Sequence, residues 1–352
     1  MNIGLTFDLR TEYQAMGYTD EETAEFDSLA TIELLEEAIT GLGHGVDRIG
    51  NIYNLVAMLS DGRRWDLVFN ICEGLYGRSR EAQVPALLEA YDIPYCFSDP
   101  LTMALSLDKG LTKSLARSAG VATPDYIVVV SVDSLDNPGT TLLKNYPLFV
   151  KPLYEGTGKG IDESSIVYNL YGLRQRCCWL FENYNQPVLI ESYLAGREFT
   201  VGILGNGSGA YVAGVLEVVL RKGQQGAVYS YVNKEFCEER VDYILVEDEN
   251  IKEEASRLAL AAYSVLGCRD AGRVDVKADG AGRLFFLEIN PLPGLHPTHS
   301  DLPILCTKAG IPYKQLINEI IQSATARSKG RRKRRRGSTA PPQTPSQGDQ
   351  SP

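Results

Sequence analysis

The sequence predicts an α/β (α+β) protein of three consecutive units followed by a disordered basic tail. Three observations carry this. Apolar strand patterns alternate with helical ones through residues 1–98, which argues for a parallel sheet. A hairpin signature closes over residues 272–293, with alternating apolar and polar residues on both sides of a turn. From Ser328 to Pro352 the chain turns to Arg, Pro, Ser, Gln and Gly and loses apolar periodicity, the composition of a segment that cannot bury a core. A length of 352 residues suffices for two or three compact units.

In chain order, Ile3–Phe7 reads as a short strand. A helix is expected over Leu29–Leu42, ended by Gly41 and Gly43, then a strand over Asp66–Ile71 and a helix over Ala82–Tyr91. The unit over 99–195 holds a helix at Asp108–Ala119 and strands at Tyr126–Val130, Pro147–Lys151 and Pro187–Glu191. The unit over 196–325 holds strands at Phe199–Leu204 and Ala210–Val219, a helix at Ile251–Leu266, the hairpin, and a closing helix at Tyr313–Ser323. The tail spans 326–352.

Composition excludes several classes. The longest apolar runs, such as Tyr126–Val132, fall well short of a membrane span. The start, MNIGLTFDLR, lacks the basic n-region of a signal peptide. Seven cysteines without CxxC or Cys/His spacing read as reduced, mostly buried thiols, which points to the cytoplasm. The net charge of −10 hides an asymmetry: 27 basic and 44 acidic residues up to position 326, then eight Lys/Arg between Arg327 and Arg336. An acidic body argues against a nucleic-acid-binding domain, whereas the basic run can serve an anionic partner or remain a solvated terminus.

The hairpin GRVDVKADGAGRLFFLEINPLP carries the most chemistry. Closed symmetrically about Asp279–Gly282, it sets Arg273 opposite Glu288 and Asp275 opposite Phe286. Strand alternation then puts Arg273, Asp275, Glu288 and Asn290 on one face, with Val274, Val276, Phe285, Leu287 and Ile289 toward the core. Two carboxylates and a carboxamide form an oxygen-only donor set that suits Mg²⁺ shared with phosphates. A solvated polar face with an Arg–Glu pair is the plain alternative for such a hairpin. Phe149-Val150-Lys151-Pro152 ends a strand on a lysine, and the EGTGKG loop follows, with Glu155, Gly156, Thr157 and Gly158 able to close over an anion. Its spacing is not that of a P-loop. Lys109 stands at a helix start, where charge and helix amides act together on phosphate. Val188–Glu191 ends a strand on an acid, and Glu198 follows in AGREFTVGIL.

In this order DLVFNICEG, SLDKGLTK, PLFVKPLYEGTGKG, PVLIESYLAGREFTVGILG, GRVDVKADGAGRLFFLEINPLPGL and AGIPYKQLINEII resemble the ATP-grasp superfamily, most closely its D-alanine–D-alanine ligase branch, over about residues 66–322. The resemblance implies a three-domain ATP-grasp fold and an ATP-dependent, ADP-forming C–N ligase. Such an enzyme works through an acyl phosphate with two Mg²⁺ ions, Mn²⁺ being a possible substitute. It implies that Lys109 and Lys151 hold the ATP phosphates and that the Glu155–Gly160 loop covers them. Glu191 falls in the adenine-reading hinge, and Glu198 falls on the ribose. Lys234 resembles the lysine of a mobile loop over 221–236. Asp275, Glu288 and Asn290 resemble the magnesium ligands, and Arg273 the arginine that stabilises the tetrahedral intermediate. Ser300 falls near the family's substrate-carboxylate serine, although GLHPTHSDLP is one residue longer here. Family members are commonly homodimers, with small carboxylate and amine substrates, usually amino acids.

The start departs from the family. Its glycine-rich loop bearing Ser and Glu is replaced by IGLTFDLRTEY, where Glu12 is the only stand-in. The family's His-Gly is replaced by Glu73-Gly74 and a longer loop carrying Arg78 and Arg80. The ATP machinery is kept while the first-substrate pocket changes. A ligase for other amino acids, or for another carboxylate and amine, is therefore the nearest alternative. A non-catalytic nucleotide-binding protein is the more distant one.

Overall fold

The computed structural model describes residues 1–136, 145–221 and 236–337, with 330–337 by backbone alone. Strand β1 (Asn2–Phe7) pairs in parallel with β2 (Gly45–Gly50) and β3 (Leu67–Ile71), in the order β2-β1-β3. Helices α1 (Arg10–Ala15), α2 (Leu29–Gly41) and α3 (Ile52–Ser60) make the connections. Every residue of β3 is buried, because helices cover both faces of the sheet. Leu67, Phe69 and Ile71 face a core shared with Ile32, Leu35 and Ile39 of α2. Val68 faces Leu55 and Leu59 of α3 and Leu88 of α4 (Gln83–Ala90). The pattern reading passed over β2 and α3: β2 is an edge strand whose GVDRIG sequence has only two large apolar residues, and α3 is only nine residues long.

Helices α5 (Pro100–Leu107) and α6 (Lys109–Ser118) are separated by a single residue. Asp99 and Asp108 cap them, each carboxylate accepting a backbone N–H at 2.9 Å. Asp108 thereby fixes Lys109 in the first turn of α6. The next sheet has the order β4-β7-β5-β6 and is antiparallel: β4 (Tyr126–Val129), β5 (Leu148–Pro152), β6 (Ile166–Val167) and β7 (Val188–Ser192). Helix α7 (Leu170–Tyr184), absent from the sequence expectation, packs Leu173, Cys177 and Leu180 against it.

The third sheet runs β10-β9-β8-β11-β12: β8 (Glu198–Leu204), β9 (Tyr211–Leu220), β10 (Val241–Leu245), β11 (Ala271–Ala278) and β12 (Leu284–Asn290). Short α8 (Cys237–Arg240) leads into β10. Helix α9 (Glu249–Val265) covers one face, with Ala255, Leu258 and Ala262 on Phe199, Val201 and Val274. Helix α10 (Asp301–Lys308) covers half of the other. It comes so close at Gly202 that a Cβ there would lie 2.8 Å from Leu305. The uncovered half of that face holds the candidate site.

The closing helix, expected over Tyr313–Ser323, begins at Tyr313 but runs on to Gly337 as α11. Leu316, Ile317, Ile320 and Ile321 join the core of the first unit. Arg327, expected in the tail, is instead tied to the body: it donates to the Asp270 carboxylate at 2.6 Å and to the Tyr95 carbonyl at 3.0 Å. Asp270 is fully buried and also accepts from Phe97 N at 2.8 Å and Asn206 Nδ2 at 2.9 Å. Residues 338–352 lie outside the described residues.

The hairpin register differs from the symmetric expectation. Arg273 pairs with Asn290 and Asp275 with Glu288, and a bulge then shifts the ladder so that Val276 pairs with Phe286. Asp279 pairs with Arg283 across a loop of Gly280, Ala281 and Gly282, which moves the register by one. The bulge adds Leu287 and moves the register once more. Arg273, Asp275, Glu288 and Asn290 still share a face, as expected, because two displacements restore the parity. Phe285 and Leu287 do not go to the core: Leu284 and Phe286 are buried there instead.

Candidate active site

Two antiparallel sheets face each other across a cleft, and lysines and carboxylates from both meet in it. Glu191, at the end of β7, is buried with its carboxylate between two ammonium groups, Lys113 Nζ at 2.9 Å and Lys151 Nζ at 3.2 Å. Burial raises the cost of its charge, but the two lysines outweigh this and hold its pKa below the usual range. Burial pushes Lys113 down to about 8 despite Glu191. Burial also works against Lys151, yet Glu191 and Glu288 keep its pKa raised. Across the cleft Glu288 Oε2 stands 3.8 Å from both Lys109 Nζ and Lys151 Nζ. Lys109, whose pKa burial lowers, also donates to the Glu155 carbonyl.

The upper part of this cleft is a slot with apolar walls, Phe149, Ile161, Leu194 and Leu287, beside the segment after β7. Phe149 and Tyr193 stack at 6.5 Å between centroids. At the rim Glu198 pairs with Lys277 at 2.7 Å. The loop after β5 is held from the first unit: Glu25 lies 3.2 Å from Lys159 and 2.9 Å from Arg80, and Lys159 lies 2.7 Å from Glu155. Burial opposes the charge of Glu25, but Arg80 and Lys159 outweigh it and bring its pKa down to about 2. A Cβ at Gly156 would lie 2.2 Å from the Glu25 carboxylate, so any larger residue there would push that carboxylate aside. Thr157 Oγ1 is buried and without a hydrogen-bond partner among the described residues.

On the lower floor Thr200 donates to Asp275 at 2.9 Å, and Arg273 lies 3.1 Å from the same carboxylate and also pairs with Asp301. Asn290 accepts from Leu292 N at 3.0 Å. Two carboxylates and a carboxamide fit Mg²⁺, which keeps waters and phosphate oxygens in its shell and takes one or two protein carboxylates. A second cavity of 440 Å³ opens beyond and shares Lys109 and Glu288 with this slot. Arg273, Asn290, His296 and Ser300 line it from one side. Ser300 Oγ accepts from His296 N at 3.0 Å. Glu25, Asp27, Glu73 and Glu81 line it from the first unit.

The structure thus brings together Lys109, Lys151, Glu155, Gly158, Glu191, Glu198, Asp275 and Glu288 around one cleft, and places Gly156, Thr157, Arg273, Asn290 and Ser300 on the adjoining cavity. Lys234 and nearly all of the 221–236 segment lie outside the described residues. Glu12, the stand-in for the family's first-substrate acid, is exposed and lines neither cavity; the acids that the first unit gives to the second cavity are Glu25, Asp27, Glu73 and Glu81. Sequence reasoning also missed Lys113 and Lys277, although each had a signal. Lys113 is four residues from Lys109 on the same helix face, and Lys277 is two from Asp275 on the same strand face.

A slot between two antiparallel sheets, with paired lysines over a carboxylate floor, defines an ATP-dependent ligase of the ATP-grasp class. The family model described as D-ala D-ala ligase C-terminus matches residues 115–322. The D-alanine–D-alanine ligase of Aquifex aeolicus is 32% identical over 294 residues, covering 84% of this chain and 94% of that protein. The enzyme of that name from Xylella fastidiosa is 33% identical, covering 74% and 82%. In structure, the Bacillus anthracis D-alanine–D-alanine ligase complexed with ATP superposes with a TM-score of 0.71 at 24% identity, covering 94% of this chain and 99% of that one. The chain belongs to the D-alanine–D-alanine ligase family. It is an ADP-forming C–N ligase that uses ATP with Mg²⁺ and joins a carboxylate to an amine through an acyl phosphate. No helix among the described residues is long and apolar enough to cross a membrane.

Proposed function

We propose that this chain joins two amino acids, with the nucleotide in the slot between the sheets and the amino acids in the 440 Å³ cavity. The observation that carries the reading is the sharing of Lys109 and Glu288 by both spaces: a phosphoryl group leaving ATP there reaches a carboxylate in the cavity without crossing solvent. Lys109 and Lys151 hold the phosphates, and residues Glu155 to Gly158 cover them. Glu191 holds Lys151 in place, the backbone after it reads adenine, and Glu198 with Lys277 serves the ribose. Asp275, Glu288 and Asn290 would hold magnesium, which when bound neutralises charge on the transferring phosphoryl group. Arg273, oriented by Asp275 and Asp301, faces the oxyanion formed when the amine attacks. Ser300 binds a substrate carboxylate, and Lys234 serves the phosphates from its loop.

The relatives' name makes D-alanine the first amino acid to test. Cytoplasmic residence, a homodimer and an anionic partner for the basic run complete the proposal. The test is ADP release over a panel of D- and L-amino acids, singly and in pairs. Amino-acid-dependent ADP with a dipeptide product supports the reading. ATP binding with no ADP under any pair overturns it. Salt-sensitive capture by an anionic surface, lost on removing 329–352, would support the tail's role.

A further inference from the structure

Resting on the reading that Lys151 holds the nucleotide phosphates, we propose that Lys113 is a positioning residue for phosphate binding. By occupying one oxygen of Glu191, it leaves the charge of Lys151 available to the nucleotide.

An ammonium group and a carboxylate buried side by side cancel each other's field. Lys151 and Glu191 are diagonal neighbours on paired strands, since Phe149 of β5 pairs with Glu191 of β7 and Lys151 follows two residues on. Glu191 Oε1 stands 3.2 Å from Lys151 Nζ. Were that the whole of the contact, the lysine that serves the phosphates would already be neutralised by a fixed carboxylate. The other oxygen, Oε2, stands 2.9 Å from Lys113 Nζ, so each lysine has an oxygen of its own.

Lys113 comes from α6, where its spacing of four residues from Lys109 sets both lysines on one helix face. Lys109 lines the slot and the second cavity, whereas Lys113 lines neither and its side chain is wholly inaccessible. Besides Glu191 it reaches Thr123 Oγ1 at 3.3 Å. A nucleotide in the slot therefore does not touch it, and its effect must pass through Glu191. Lys109, Lys113 and Lys151 stand against the carboxylates of Glu191 and Glu288, all linked by the contacts above. This leaves one positive charge in excess where the triphosphate arrives. Without Lys113 that excess vanishes and Lys151 alone must answer Glu191. In a site shielded from water such a difference carries over several ångströms.

Calorimetry on the full chain measures the Kd of ATP and of AMP, each with Mg²⁺ at pH 7, for the parent and for Lys113→Met. AMP fills the base and sugar positions but lacks the β and γ phosphates. The expected result is an ATP affinity at least about tenfold weaker in the variant, with AMP within about threefold of the parent. Lys113→Gln, which keeps a donor for Glu191 but not the charge, carries the same expectation if Lys113→Met does not fold. The double variant Lys113→Met/Glu191→Gln removes both partner charges and should bring the ratio of ATP to AMP affinity back to within about threefold of the parent's. Equal losses for ATP and AMP would show that Lys113 only supports the shape of the slot, and would overturn the proposal. An unchanged ATP affinity, or a double variant no better than the single one, does so too. Each of these leaves Lys151 on the phosphates. A parent that binds AMP as tightly as ATP overturns both readings.

Discussion

Glu191→Gln removes one negative charge from between two buried ammonium groups. Lys113 is wholly inaccessible and Lys151 nearly so, and each stands within 3.2 Å of the carboxylate it loses. Breaking a buried pair by deleting one partner costs about 3–5 kcal/mol. At about 2–4 °C per kcal/mol for a chain of this size, the melting temperature falls on the order of 10 °C. The pH dependence adds a second reading of the same change. Burial pushes Lys113 down to about 8, so between that value and its unfolded value the folded state binds fewer protons and stability grows with pH. Without Glu191 the folded pKa of Lys113 drops further, and the variant enters this window earlier than the parent. Its deficit is therefore largest near pH 7 and narrows toward pH 9. Melting curves at three pH values decide the matter. A variant melting within about 1 °C of the parent at pH 7, or a deficit that widens as pH rises, would refute the argument.

Asp275→Asn and Glu288→Gln should each lower substrate-dependent ADP release by at least about a hundredfold in variants that still melt as folded proteins, because they remove charge needed for the chemistry as well as for the neighbouring lysines and Arg273; parental rates in either would remove the floor of the site from the mechanism. Lys277→Ala should raise KM for ATP by about threefold to tenfold with kcat close to the parent's, the mark of an interaction made equally before and during reaction, and steady-state kinetics at saturating amino acid will show it. The acids of the second cavity predict an unusual stability profile. Asp27 and Glu81 titrate near 7, so the folded state takes up protons first and stability rises as pH falls from about 7.5 toward 5. Glu25, held at about 2, contributes above its unfolded value and is lost as pH drops below about 4.5. A melting temperature that peaks at or above pH 7 would contradict that assignment.

Much of this was legible in the residues. The face shared by Arg273, Asp275, Glu288 and Asn290 follows from strand alternation, and Lys109 and Lys151 follow from their places at a helix start and a strand end. The bulge at Leu287 was not legible, because alternation carries no mark of an inserted residue whose neighbours are all apolar. Leu287's place in the slot beside the segment after Glu191 was missed with it, since Leu287 reaches that slot only through the bulge. The acids of the second cavity were hidden for a different reason. Glu25 and Asp27 lie in a stretch with little regular structure before α2, Glu73 follows β3, and Glu81 sits in a 3₁₀ turn before α4. Only the folding of the first unit on itself makes neighbours of them. Helix α7 was missed because RQRCCWLFENY mixes charge with apolar residues, although Asn169 caps its start.

The tie between Arg327 and Asp270 changes how the basic terminus can be studied. A shortened chain ending at Ser323 removes the cation from a carboxylate that is fully buried and that also holds Phe97 and Asn206. Such a chain would lose about 3 kcal/mol or more for a reason unrelated to any binding partner. It would also loosen the seam between the first unit and the β11 strand that carries Arg273 and Asp275. Reduced activity in that chain would then pass for evidence of a tail-dependent enzyme. Ending the chain after Ser328 keeps the arginine in its seat and removes the remaining basic cluster, so that the two effects are read separately.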